Sequence, residues 1–220
     1  MKVMILSAGR GERMRPLTDV VPKPLLEVKG KALIVYHIEK LVKEGFKEII
    51  INIAHLGFKI PQALGNGSRW GVKLIYSDEQ DEGALESAGG IFKALALLGN
   101  DTFLIVNADI WCDYNFDASF ELGDDLAHLI LVSNPDFNPN GDFVLEKGRV
   151  FNEGKEKYTF SGIGYYSPKL FHNLSYGKSA LAPLLREQMK KGKISGFFYD
   201  GIWKDIGTPK RLEDINKLLV

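Results

Sequence analysis

Apolar residues along the first hundred positions fall into two alternating rhythms. Residues 2–6 form a short apolar run, and 48–53 carries Ile49, Ile50, Ile51 and Ile53 in near-continuous sequence. Runs of this kind belong to strands covered on both faces. Between them, 32–44 places Ile34, Ile38, Leu41 and Val42 at helical spacing and stops at Gly45. The alternation continues with a helix at 58–64, its Pro61 tolerated in the first turn. A strand follows at 72–76, then a helix at 89–98 stopped by Gly99-Asn100, then a strand at 102–107. Strand and helix in succession predict an α/β fold, with a doubly wound, mostly parallel (mixed) central sheet in three layers.

The second half is less regular. Strands are expected at 126–132, 142–146, 160–166 and 195–200, and helices at 168–173, 182–191 and 209–219. Clusters of Gly, Asn, Asp and Pro at 134–142 and of Asn, Glu, Gly and Lys at 152–157 read as loops. No repeat or low-complexity stretch interrupts the chain. Its 220 residues suffice for one sizeable core, so a single domain over 1–220 is expected, with halves at about 1–110 and 111–220 sharing one sheet.

A net charge of zero supplies no global field for nucleic acid or an anionic membrane. Any anion binding must therefore come from a local arrangement. The single cysteine, Cys112, cannot form an internal disulfide, which fits a reducing compartment. No stretch approaches the ~20 apolar residues of a membrane span. Met1-Lys2 leads directly into a strand without a secretory h-region. These features predict a cytoplasmic protein with neither nucleic-acid nor membrane partners; nothing in the sequence fixes its oligomeric state.

Ligands of doubly wound sheets collect beyond the carboxyl ends of the strands. The segment 6–18 occupies such a place after the first strand, reading Leu-Ser-Ala-Gly-Arg-Gly-Glu-Arg-Met-Arg-Pro-Leu-Thr, and Pro22-Lys23-Pro24 follows. Gly9 and Gly11 allow close backbone approach to a phosphate, and consecutive N–H groups there form a concave anion site. Arg13, Arg15 and Lys23 add cationic side chains suited to phosphate oxygens. The spacing is not that of a P-loop. Nor is it a dinucleotide fingerprint, because Met14 stands where the third glycine belongs. The loop reads as part of a nucleotide enzyme.

Asn107-Ala108-Asp109 ends an apolar strand, where a carboxylate is well placed to hold a hard cation. Asp205, in Trp203-Lys204-Asp205-Ile206-Gly207-Thr208, is the second such acid. The four histidines (His37, His55, His128 and His172) show no metal-ligand spacing and read as structural or surface residues. Cys112 reads as a buried structural thiol. The acids Asp78, Glu79, Asp81 and Glu82 read as solvated loop charges.

The segment 6–24 resembles the signature of the sugar-1-phosphate nucleotidyltransferases, L-A-A-G-x-G-x-R-M/L-x-P-L-T followed by P-K-P, with Ser7 in place of the usual alanine. The resemblance implies that Gly9, Gly11, Glu12, Arg13 and Lys23 line a nucleotide site, with Asn107 beside them. It places Glu86 and Ser87 under the nucleobase, although Leu85-Glu86-Ser87 departs from the commoner Leu-Gly-Thr. It gives Asp109 and Asp205 to Mg²⁺, and makes Arg13, Lys23 and Asp109 the catalytic set. Asp142, Glu156, Ser161 and Gly162 become candidates for the sugar, since carboxylates accept two hydrogen bonds from hydroxyls.

Residues 90–95, 107–111, 160–163 and 181–186 are further similar to the branch of that family acting on N-acetylmuramate 1-phosphate. The implied partners are UTP and a sugar 1-phosphate, joined with release of pyrophosphate. Such a reaction brings two polyanions together, so cations must gather the oxygens and hold them in line. A general base is unnecessary, because a phosphate monoester is already an anionic nucleophile. Mannose 1-phosphate with GTP, or glucose 1-phosphate with dTTP, are alternative substrate pairs, and a non-catalytic nucleotide-sugar sensor is an alternative of another class.

Overall fold

The computed structural model describes residues 1–218; the end of the helix expected over 209–219, at Leu219, lies outside the described residues. In chain order the elements begin with β1 (Lys2–Leu6), a short hairpin of β2 (Glu27–Val28) and β3 (Lys31–Ala32), α1 (Leu33–Lys43), β4 (Glu48–Ile53) and α2 (Lys59–Leu64). They continue with β5 (Lys73–Asp78), α3 (Glu86–Leu98), β6 (Phe103–Asn107) and β7 (Ile110–Cys112). The second half supplies β8 (Ala127–Val132), β9 (Val144–Glu146), β10 (Arg149–Phe151) and β11 (Thr159–Tyr166). It ends with α4 (Leu181–Lys190), β12 (Ile194–Phe198), β13 (Trp203–Asp205) and α5 (Pro209–Leu218).

Nine strands form the main sheet in the order β5-β4-β1-β6-β11-β8-β12-β10-β9. The first four are parallel; β11 inserts antiparallel between β6 and β8, and β12 returns parallel to β8. The mixed, mostly parallel, doubly wound sheet expected from the sequence is therefore the sheet observed. Order follows from the period-two alternation of β1. Val3 and Ile5 join a cluster with Ile34, Ile38 and Leu41 of α1, while Met4 faces Ala88, Ile91 and Ala94 of α3. Ile49, Ile50 and Ile51 are all fully buried, as a strand covered on both faces requires.

A third, smaller cluster positions the chemistry. Met14, Leu26, Val28 and Leu33 from the amino-terminal third pack on Ile206 and Ile215 near the carboxyl end. Met14 is thus a core residue at the position where a dinucleotide fold would need glycine. The same region holds a second ribbon, β7 paired antiparallel with β13, in which Asp205 faces Ile110. The N–H of Ile206 donates to the carbonyl of Asp109 at 2.7 Å.

One expected helix is replaced. Residues 168–173 make only a 3-10 turn, Pro168–Phe171, capped by the Ser167 hydroxyl accepting from the Lys169 N–H. A single turn suffices to bury Leu170 and Phe171. The strand pairs β2–β3 and β7–β13 escape sequence reading because two or three residues show no period. β11 carries an irregularity between Phe160 and Ile163, where Gly162 takes φ +80°. Such bulges re-aim a strand beside functional sites, and this one faces the end of β6.

Candidate active site

A cleft of about 380 Å³ opens at the carboxyl ends of β1 and β6. Its walls include Gly9, Gly11, Glu12, Arg13, Lys23, Glu86, Ser87, Asn107 and Asp109, so the structure brings every sequence-derived nucleotide residue to one place. Gly11 has φ +69°, and a Cβ there would come within 3.0 Å of the Thr18 side chain. The turn therefore demands glycine. Arg15, expected among the phosphate cations, instead pairs on the outside with Asp19 and Glu12. Those two acids draw it away from the cleft.

Lys23 is held by the 3-10 turn Lys23–Leu25 and is 9% exposed. Its Nζ lies 2.5 Å from Oδ2 of Asp109. A largely buried ammonium needs such a partner, because desolvation of an unpaired charge is costly. The two ends of the chain's phosphate equipment are thereby fixed against each other without a ligand. Asp205 sits behind the cleft wall at Gly207. Its carboxylate accepts from the Gly207 N–H at 3.0 Å and is ion-paired with Arg211. Asp205 itself lines a neighbouring cavity of about 720 Å³, so only Asp109 of the two metal candidates faces the cleft directly.

Among the described residues, no three His, Cys, Asp or Glu side chains converge as a ready-made metal cage. Asp109, in the turn between β6 and β7, offers a hard carboxylate oxygen donor to the cleft, while Asp205, at the end of β13, is held by Arg211 and faces the neighbouring cavity. The Asp109 donor fits a small divalent cation that completes its shell with waters and phosphate oxygens.

A second cavity, about 280 Å³, meets the first at Leu6, Ser87 and Asn107. Asp142, Phe160 and Arg186 line it. Asp142 accepts from the Phe160 N–H at 2.8 Å and from Asn138 at 3.2 Å, which fixes its carboxylate at the cavity edge. Of the other expected sugar residues, Glu156 is exposed and lines neither cavity. Ser161 is buried, its hydroxyl donating to the Ile130 carbonyl at 2.7 Å. Gly162 acts through its backbone: a Cβ there would strike Nδ2 of Asn107 at 2.5 Å. The Ser87 hydroxyl accepts from the Leu181 N–H at 3.0 Å, tying the start of α3 to the start of α4.

Glu79 is fully buried, contrary to the expectation of a solvated loop acid. Its carboxylate accepts from Asn52 Nδ2 and from the Leu85 N–H, each at 2.8 Å. Asn52 in turn accepts from the Ser7 N–H at 2.7 Å. This buried chain joins the ends of β1, β4 and β5 to the loop entering α3. Burial raises the Glu79 pKa, opposed by both hydrogen bonds. Asn52 also lines the cleft and was not anticipated; its signal is one amide inside an otherwise isoleucine strand. His37 is buried and held mainly neutral by desolvation, its pKa lowered to about 4. The thiol of Cys112, also buried, is pushed up to about 11 by burial and is no nucleophile.

The fold and cleft define a nucleotide-transferring α/β enzyme, and comparison with known proteins gives the same class. The nucleotidyl transferase family profile matches residues 2–220, and the chain belongs to that family. It is 49% identical to N-acetylmuramate alpha-1-phosphate uridylyltransferase of Neisseria meningitidis serogroup B, over 99% of this chain and 98% of that protein. The protein of the same name from Caulobacter vibrioides is 32% identical over 94% of this chain and 92% of its own. Among solved structures, a Bacillus anthracis protein assigned as a glucose-1-phosphate thymidylyltransferase, in complex with a sucrose, superposes with a TM-score of 0.85. It shares 25% identity and covers 99% of this chain and 94% of that one.

Proposed function

We propose that this nucleotidyltransferase moves UMP from UTP to N-acetylmuramate 1-phosphate, releasing pyrophosphate. The observation that carries the reading is the pair of joined cavities, one built for phosphates and one adjoining it across Asn107. The two relatives that match nearly end to end, at 49% and 32% identity, both bear that substrate in their names. The mannose-1-phosphate guanylyltransferase subunit of Danio rerio is 27% identical, and this chain spans 62% of its length. In this reading residues 1–110 hold the nucleotide and 111–220 the sugar within one domain, and the reaction runs in the cytoplasm.

In the proposed reaction a phosphate oxygen of the sugar 1-phosphate attacks the α-phosphorus of UTP. The bond from that phosphorus to the bridging oxygen breaks, and the electron pair leaves with pyrophosphate. Backbone N–H groups at Gly9–Gly11 and the Arg13 side chain bind the triphosphate. Lys23, already fixed at Asp109, lies against the phosphates of both reactants. Preorganised cations of this sort need no rearrangement as charge develops. Asp109 would hold Mg²⁺, which supplies charge neutralisation and alignment of the phosphate oxygens when bound; Asp205 would join it only by releasing Arg211. Asp142 accepts from sugar hydroxyls.

The test is pyrophosphate release by the purified chain with a panel of triphosphates and sugar phosphates. UTP with N-acetylmuramate 1-phosphate is expected to give the highest kcat/KM. A higher value with GTP and mannose 1-phosphate, or with dTTP and glucose 1-phosphate, would overturn the substrate assignment while keeping the chemistry.

A further inference from the structure

The second cavity holds a cation that has no anionic partner among the described residues. Arg186 lies mid-helix on α4 and lines this cavity with Asp142, on the far side of Asn107 from Lys23 and Arg13. Its Nε donates to Oδ1 of Asn152 at 2.8 Å, which orients the guanidinium. None of the ion pairs among the described residues includes Arg186. Glu187, its neighbour on the helix, is paired with Lys191 instead. The two terminal nitrogens, with four N–H donors, are thus left without an anion.

The rest of the cavity narrows what that anion belongs to. Leu6, Ile105 and Leu185 give it an apolar floor. Tyr166 also lines it, fully buried, with a hydroxyl that finds no hydrogen-bond partner. An occupant should therefore combine apolar surface, a polar group within reach of a phenol, and a negative charge at the Arg186 end. The phosphates cannot supply that charge, because their cations lie in the first cleft.

We infer that Arg186 receives a carboxylate carried by the sugar, through an end-on fork of its two terminal nitrogens, and so selects an acidic sugar 1-phosphate. This rests on the substrate reading above: N-acetylmuramate is N-acetylglucosamine bearing a lactyl ether, whose methyl and carboxylate match the apolar floor and the free guanidinium. Arginine suits a carboxylate better than lysine does because its planar fork presents two parallel N–H donors.

The experiment compares kcat/KM for N-acetylmuramate 1-phosphate and for N-acetylglucosamine 1-phosphate, which lacks only the lactyl arm, at saturating UTP. In Arg186→Gln the preference ratio is expected to fall by about 10–100-fold, the size of a lost charged hydrogen-bond pair, with the change in KM rather than kcat. Arg186→Lys should recover part of it. Thermal melting of each variant checks folding, and Arg186 is exposed on its helix. A preference ratio unchanged in Arg186→Gln, or a fall in kcat alone, would overturn the role of the arginine while leaving the substrate reading intact. A wild-type enzyme active on neutral sugar phosphates but not on N-acetylmuramate 1-phosphate would overturn the substrate reading, and the arginine's role with it.

Discussion

The two cavities that meet at Asn107 are built by different means. The first is made from two short segments: the stretch after β1 that carries the glycine turn and Lys23, and Asp109 just past β6. The second is assembled from distant pieces, with Asp142 in a loop, Phe160 at the β11 bulge and Arg186 on α4. In the first, charge is already matched to charge, Lys23 against Asp109 at 2.5 Å. In the second, Asp142 and Arg186 share a wall and form no ion pair with each other. A preorganised end suits chemistry common to every substrate of such an enzyme. An end with unspent charges suits discrimination among sugars, since specificity is a difference of affinities.

The largest expected effect tests that division at Asp109. Asp109→Asn keeps size and a hydrogen-bond acceptor for Lys23 but removes the charge. Turnover should fall about 10²–10³-fold with every sugar phosphate, as when a preorganised electrostatic contact is lost. Melting should fall as well, since Lys23 keeps an acceptor but loses its counter-ion, so turnover is compared well below the variant's own melting transition. Normal turnover with Mg²⁺ present, or a defect confined to one sugar, would break the assignment of common chemistry to this end.

That asymmetry also decides what the chain discloses before it is folded. The glycine turn and Asp109 are legible because each follows an apolar strand directly, and Arg13 and Lys23 because they stand in one short signature segment with that turn. The parallel half of the sheet is legible too, down to the bounds of β1 and β4. Glu79 is not, because an acid in a polar loop looks solvated until Asn52 and the Leu85 N–H are brought to it from other strands. Nor is the cavity role of Arg186, which depends on α4 packing against α3, β10 and β12. Glu156 illustrates the converse: its sequence neighbourhood suggested a sugar contact, yet it stands exposed outside both cavities.

Beneath the first cavity, His37 offers a measurement of how much strain that end carries. Its ring is buried, one nitrogen has no partner, and its pKa is lowered to about 4 by desolvation. For a base whose folded pKa is depressed below the ordinary ~6.5, the unfolded chain binds the extra proton first. Stability is therefore lost as pH falls from about 6.5 toward 4, by roughly 3 kcal/mol in all. In His37→Leu, denaturant unfolding across that window should lose most of this slope. An unchanged slope would mean that the ring reaches water or a partner in solution.

A smaller effect is expected at Glu79. Both its partners are donors, so Glu79→Gln turns one bond into a donor facing a donor, at a cost of about 1–3 kcal/mol. Because this chain of bonds sets the loop entering α3, the KM for UTP should rise, while the KM for the sugar phosphate moves less. Equal changes in both would mean that the two cavities are mechanically one.

The finest test lies at Asp142, whose carboxylate is fixed by the Phe160 N–H and Asn138 yet retains capacity to accept from a sugar hydroxyl. Asp142→Asn preserves an acceptor for the Phe160 N–H and replaces the oxygen that accepts from Asn138 by an amide donor, removing the charge. Replacing a charged acceptor in this way weakens a hydrogen bond by about 1 kcal/mol, or some 5–10-fold in sugar-phosphate KM. The KM for UTP should stay within about 2-fold, since no triphosphate cation touches this wall. Turnover at saturation should also hold, because Asp142 lies in the cavity without Lys23 or Asp109. If kcat fell as it does in Asp109→Asn, the reacting phosphates would have to extend past Asn107, and the boundary drawn there between chemistry and selection would be in the wrong place.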